Sequence, residues 1–158
     1  MPPRTSAGIL LYRLTPAGDC EVLLGHMGGP FWARKDDGAW SIPKGEHGPE
    51  EEPFAVACRE FEEELGSPVP AAEFLPLGQL QPTSGKLLTV WAAAGDLDAA
   101  TSRSNTFTIE WPPRSGRLQE FPEIDRAAWF GVDEARTKLV KGQVPFLDRL
   151  LERIAARP

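Results

Sequence analysis

The sequence predicts a single α+β domain over residues 1–158, on three observations. Two strand-like runs open the chain, one amphipathic helix with clear start and stop signals follows, and further strand-like runs then lead into two helical segments. A chain of 158 residues fits one compact domain. Its 41% hydrophobic and 25% charged residues are ordinary for a globular protein.

Ser6 to Arg13 and Glu21 to Met27 read as strands joined by a turn at Thr15-Pro16-Ala17-Gly18-Asp19, and Gly28-Gly29-Pro30 ends the second. After the charged loop Arg34 to Gly38, Ala39 to Ile42 gives a short strand, and Pro43-Lys44-Gly45 starts a second loop. In the helix that follows, Phe54, Ala57, Cys58, Phe61 and Leu65 recur at i, i+3, i+4, i+7 and i+11, which makes one apolar face. Pro53 suits its first turn, and Gly66 followed by Pro68 suits its stop. Phe74 to Leu80 and Lys86 to Ala94 read as strands around a Pro82-Thr83-Ser84-Gly85 turn, and Asn105 to Trp111 and Arg126 to Phe130 as two more. Asp133 to Val140 and Pro145 to Ala155 read as helices, and the Pro112 to Gly116 cluster is too short for an inter-domain linker.

Composition limits function. Seventeen basic against twenty-three acidic residues leave a net charge of −6, which argues against long nucleic-acid tracts as ligands, because phosphate backbones need a broad basic surface. The longest apolar stretches are too short to cross a bilayer, and Met-Pro-Pro-Arg-Thr leads into no signal-peptide core, so a cytoplasmic location is the expectation. Cys20 and Cys58 are too few for a disulfide scaffold and read as buried small hydrophobes.

The informative segment is residues 45–67, where Glu60, Glu63 and Glu64 fall at i, i+3 and i+4 of the expected helix. At about 100° per residue they project onto one flank beside the apolar stripe. Like charges at that spacing cost an isolated helix a few tenths of a kcal/mol per pair, so helix stability does not explain them. An arbitrary acidic run is usually a solvated face. Here the spacing points to a divalent cation, since hard cations prefer carboxylate oxygens and sit between carboxylates and substrate phosphates. Glu62 lies on the opposite flank, and Glu50 and Glu52 read as solvated charges. Arg59 could hold a carboxylate in a fixed direction, with Glu51 as its partner across the loop.

These residues resemble the Nudix box: Gly, five residues, Glu, seven residues, Arg-Glu, an apolar residue, one residue, Glu-Glu, one residue, Gly, apolar. The sequence supplies Gly45, Glu51, Arg59, Glu60, Phe61, Glu63, Glu64 and Gly66 in register, and departs only at Ser67. The resemblance implies an α/β/α sandwich with a mixed sheet, and a MutT-like pyrophosphohydrolase that uses Mg²⁺ or Mn²⁺. It implies Glu60, Glu63 and Glu64 as metal ligands, joined by a carbonyl at Lys44 or Gly45, with Glu51 and Arg59 in support. Glu120 and Glu123 are candidates for the general base, because some members take one from a later loop.

For the substrate, the expectation is a small nucleoside diphosphate-linked molecule, either a nucleoside triphosphate or a dinucleoside polyphosphate, bound by a monomer or homodimer. Lys35, Lys44, Lys86, Arg114 and Arg117 are candidates to neutralise its phosphates, with Lys44, Arg114 and Arg117 assigned to the substrate, although each cation alone is more often a surface charge. Phe31, Trp32 and Trp111 are candidates to stack on a base, with core packing the commoner role, and Trp40, Trp91 and Trp129 read as core. His26 and His47 lack partners at a metal-ligand spacing and take a structural or solvent role. The runner-up function is a non-catalytic module of the same fold that senses a nucleotide. A diphosphate isomerase ranks last, because neither cysteine sits in a catalytic setting.

Overall fold

The first strand organises everything else in the computed structural model, which describes residues 5–81 and 86–156. β1 (Thr5–Leu14) is buried along most of its length, and its side chains alternate between two cores. Ile9 and Leu11 join one apolar cluster, while Leu10 and Tyr12 join another. A strand buried on both faces needs an unbroken apolar run, and that is how residues 7–12 read. The turn residues 82–85 lie outside the described set.

β2 (Cys20–Met27) pairs antiparallel with β1 only near their turn, from Tyr12↔Val22 to Leu14↔Cys20. Beyond it the two strands splay, and β3 (Trp40–Ser41) and β4 (Lys44–His47) fill the gap. β3 pairs with β2 through Gly25↔Ser41, and β4 pairs with β1 through Thr5↔His47 to Gly8↔Lys44. On its other edge β1 runs parallel to β6 (Leu87–Ala94), which pairs with β5 (Phe74–Leu80). β9 (Ile124–Gly131) covers the outer edge of β2. β7 (Thr106–Glu110) and β8 (Leu118–Pro122) form a separate two-stranded hairpin.

One face of the mixed sheet carries α1 (Pro53–Leu65), which buries Ala57, Phe61 and Leu65 against Ile9, Leu11 and Leu23. Phe54 adds edge-on ring contacts to Phe74 and Trp91, with centroids 4.8 and 5.2 Å apart. The Glu52 carboxylate caps the helix by accepting the Ala55 N–H, so Glu52 is more than a solvated charge. The helix stops at Gly66, where φ is 76° and a Cβ would lie 2.7 Å from the Arg103 carbonyl oxygen. The opposite face carries α2 (Val132–Lys138) and α3 (Pro145–Ala155), whose Phe146, Leu147 and Leu150 close the larger cluster. This is the sandwich that the resemblance implies.

Several expectations need correction. Lys44–His47 is a strand rather than the start of a loop, because β1's free edge accepts it, and β8 had no strand expectation at all. Trp91 and Trp129 are half-buried and lie against the core rather than within it, and Cys20 and Cys58 are likewise only partly buried. Trp40 is buried.

Candidate active site

The wedge between β1 and β2 and the C-terminal half of α1 meet at one place. Gly45 on β4 is paired with Ala7 of β1 and faces Glu60 of α1 so closely that a Cβ there would lie 2.1 Å from Glu60 Cδ. Only glycine leaves room for that carboxyl group. Around it lies a cavity of about 280 Å³ whose walls include Ser6, Lys44, Glu60, Glu64, Asn105 and Glu123.

Helical spacing brings Glu60 and Glu64 to the same cavity, but their surroundings differ. Glu64 is 9% exposed, and burial pushes its carboxyl up to about 8, partly offset by the Lys44 ammonium and the Lys44 backbone amide. Glu60 is half-buried and is also raised, first by burial and then by repulsion from Glu63. Glu63 is exposed at the cavity's outer side, 3.8 Å from Arg59 Nε, and does not line it. The trio is therefore not one exposed cluster: Glu64 lies at the buried interface, Glu60 half-way out and Glu63 in solvent.

Arg59 holds the outer edge. Its Nη1 lies 3.3 Å from Glu51 Oε2, and its guanidinium also approaches Glu60 at 3.7 Å. Glu51 in turn accepts the Gly48 N–H at 2.9 Å, and that amide, followed by Arg59, holds its carboxyl below the usual range. The loop entering α1 is thus tied to the helix by the residues that the spacing singled out.

Of the two acids expected outside the helix, Glu123 lines the cavity and adds to the negative potential at Glu60 and Glu64. Glu120 sits in β8 opposite Thr108 and does not line it. Sequence spacing could not separate them, since both lie in one stretch with no expected element, far from the helix. Asn105 and Ser6 were not singled out, and no local motif marks either one.

A second cavity of about 200 Å³ shares Lys44, Glu64 and Glu123 with the first and is walled by Met27, Trp32 and Phe107. Trp32 is therefore the stacking candidate that reaches the site. Phe31 is 61% exposed and meets Trp111 edge-on at 5.2 Å, away from both cavities. Arg114 and Arg117 sit in the exposed β7–β8 turn, where Arg114 adopts a φ of 61°, and they line neither cavity. Lys44 and Lys86 do line the acidic one, and Lys86 is 3.3 Å from Glu46. Lys35 lies over the Trp32 ring.

His26 is fully buried, with Nδ1 2.8 Å from Asp125 and Nε2 2.6 Å from the Lys35 carbonyl, so it ties β2 to its neighbours. His47 hydrogen-bonds to Thr5 and Gly48. Among the described residues no three His, Cys, Asp or Glu side chains approach closely enough to enclose a metal ion unaided. The donors nevertheless suit a hard cation. Glu60 and Glu64 offer carboxylate oxygens beside the Gly45 backbone, and Mg²⁺ commonly completes its shell with water and substrate phosphates. Among the described residues no helix is long and apolar enough to cross a membrane.

The NUDIX domain model matches residues 2–150. No curated protein matches the chain. Among solved structures, the chain is similar to a Caenorhabditis elegans Ap4A hydrolase in a binary complex, at 21% identity and TM-score 0.66 over 96% of this chain and 99% of that one. It is also similar to the Nudix hydrolase RenU of Mycobacterium smegmatis, at 23% identity and TM-score 0.61 over 99% and 88%. A third is the NUDIX domain of Shewanella oneidensis NrtR in complex with ADP ribose, at 14% identity and TM-score 0.66 over 98% and 90%.

Proposed function

The chain belongs to the NUDIX domain family, and from that premise we propose that it is a divalent-metal-dependent pyrophosphohydrolase of small nucleoside diphosphate-linked molecules. The observation that carries this reading is one cavity walled by Glu60, Glu64, Glu123 and Lys44, with Gly45 making room for the Glu60 carboxyl. It acts on acid anhydrides, by attack of water on phosphorus.

A bound Mg²⁺ or Mn²⁺ would offset phosphoryl charge and ease deprotonation of water. Glu60 and Glu64 would hold it beside the Gly45 backbone, with Glu63 reaching in from the solvent side. Arg59 and Glu51 keep that edge of the site in place. Lys44 stands next to Glu64 and offers a point charge to a phosphate oxygen. Glu123 takes the water proton, since it faces the same space from outside the helix. A base would enter the neighbouring cavity between Trp32 and Phe107.

The substrates to test first are nucleoside triphosphates and dinucleoside polyphosphates. Support for the class comes from the acidic cavity, the NUDIX membership and an Ap4A hydrolase among the structural neighbours. A panel of nucleoside diphosphate derivatives, assayed with Mg²⁺ and Mn²⁺ against Glu60→Gln and Glu64→Gln, tests the reading. Turnover by wild type that both variants lose is expected. Tight nucleotide binding without turnover of any member would instead establish the sensing module.

A further inference from the structure

Beside the acidic cavity lies a larger one of about 660 Å³, between the β5–β6 pair and the 3₁₀ turn Lys141–Gln143 that leads into α3. The two cavities share Ser6, Lys44 and Lys86, so anything held at the acidic carboxylates can extend into the larger space. Its volume falls within the range of small-molecule sites, about 300–1,000 Å³.

The lining is unusual for a nucleoside. Leu80, Leu88, Val140 and Pro145 make an aliphatic floor, and among the described residues neither an aromatic nor an acidic side chain lines it. A base needs a ring face to stack on or free polar groups to read its edge. Of the two amides in the lining, the buried one is already committed: Gln143 Oε1 accepts the Ile42 N–H at 2.8 Å, and its Nε2 donates to Ser41 at 3.0 Å, which leaves only the exposed Gln81. What the cavity does offer is cations. Lys44 faces Glu64 and Lys86 faces Glu46, whereas the side-chain ammonium of Lys141 has no ion-pair or hydrogen-bond partner among the described residues.

We propose that this cavity binds the second arm of the substrate, on the far side of the diphosphate from the nucleoside, and that this arm is an aliphatic group ending in a phosphate held by Lys141. The inference rests on the pyrophosphohydrolase reading and narrows it. A dinucleoside would have to place a ring against an aliphatic wall with only the exposed Gln81 amide to meet its edge, while an aliphatic phosphate matches both the floor and the Lys141 ammonium. Arg114 and Arg117 play no part, because they line none of these spaces.

The test measures binding of hexyl phosphate to the whole chain in chelator, followed by amide chemical shifts and by calorimetry. The expected result is saturable binding, weakened at least tenfold by Lys141→Glu, kept within threefold by Lys141→Arg, and not displaced by adenosine. Equal binding by wild type and Lys141→Glu, or competitive displacement by adenosine, overturns the proposal. Because no turnover is needed, a failure here is separate from a failure of the hydrolase reading. In turnover, Lys141→Glu should raise KM for a nucleoside diphosphate with an alkyl phosphate arm by tenfold. It should leave kcat, and KM for a nucleoside diphosphate hexose, within twofold; equal effects on both substrates also overturn it.

Discussion

Replacing Gly45 by alanine exchanges a hydrogen for a methyl group, and the structure says where its carbon goes. It would stand 2.1, 2.3 and 2.4 Å from Cδ, Cγ and Oε2 of Glu60, whereas unbonded carbons settle about 3.5–4.0 Å apart. The Glu60 side chain must therefore leave its position. Its end is flexible, so the strain should be about 0.5–1.5 kcal/mol, and alanine in a strand recovers roughly 0.5–1 kcal/mol relative to glycine. The net change in stability should lie within about 1 kcal/mol, or about 4 °C in Tm for a chain of this size. The effect on rate is another matter. Displacing one carboxylate from the cation should raise the barrier by about 3 kcal/mol or more, at least a hundredfold in kcat/KM. Thermal melts and initial rates at saturating Mg²⁺, with Glu60→Gln in parallel, read both quantities. Retention of more than about a third of the wild-type rate, which is under 1 kcal/mol of barrier, would falsify the claim that glycine is there for Glu60.

Other outcomes follow from single contacts. Glu64→Gln should abolish turnover while leaving the chelator-treated protein at least as stable as wild type, since an amide is easier to bury than a carboxylate; a marked loss of Tm would mean that the Lys44 contacts of Glu64 outweigh its burial cost. Glu62→Gln, on the exposed side of α1, should change rates less than twofold, and a loss equal to that of Glu64→Gln would refute the assigned faces. Gln143→Leu should cost about 1–3 kcal/mol in denaturant titrations, because it leaves the buried Ile42 N–H without an acceptor. Burial pushes the Cys20 thiol up to about 11, so at pH 8 only about one molecule in a thousand carries the thiolate. In a Cys58→Ser background, iodoacetamide should label Cys20 on the order of a hundredfold more slowly than a free thiol, with the rate rising about tenfold per pH unit up to pH 11; a plateau near pH 8.5 would contradict this.

The acidic helix was legible because two periodicities are superimposed in one short stretch. Its apolar positions fix which face packs on the sheet, and Glu60 and Glu64 then have nowhere to point except the seam beside it. The depth of Glu64 was not legible, since it depends on how closely β4 approaches α1, and that follows from the splaying of β1 and β2 over long sequence distances. The same long-range pairing hid β4, whose Lys-Gly-Glu-His composition has no strand signal of its own. Glu123 and Glu120 looked equivalent because their difference arises from the β7–β8 hairpin and its junction with β9. Arg114 and Arg117 looked suited to phosphate by residue type alone, and position removed them from the cavities. Lys141 carries no motif; only the fold brings it to the same cavity as Lys86.

Lys44 lines all three cavities, and this has a thermodynamic corollary. One ammonium group in view of several ligands makes their binding equilibria interdependent. An anion drawn to it competes with Glu64 for the same charge, so two anions in adjoining cavities should oppose each other, while a cation bound between them relieves that opposition. Linkage requires the effect to be mutual: the factor by which a phosphate tightens the divalent ion equals the factor by which the ion tightens the phosphate, commonly about 5–150-fold for coupled sites. Neither affinity measured alone therefore describes this protein in a cell, where the concentrations of free metal and of anions together decide how much of it is ready to react.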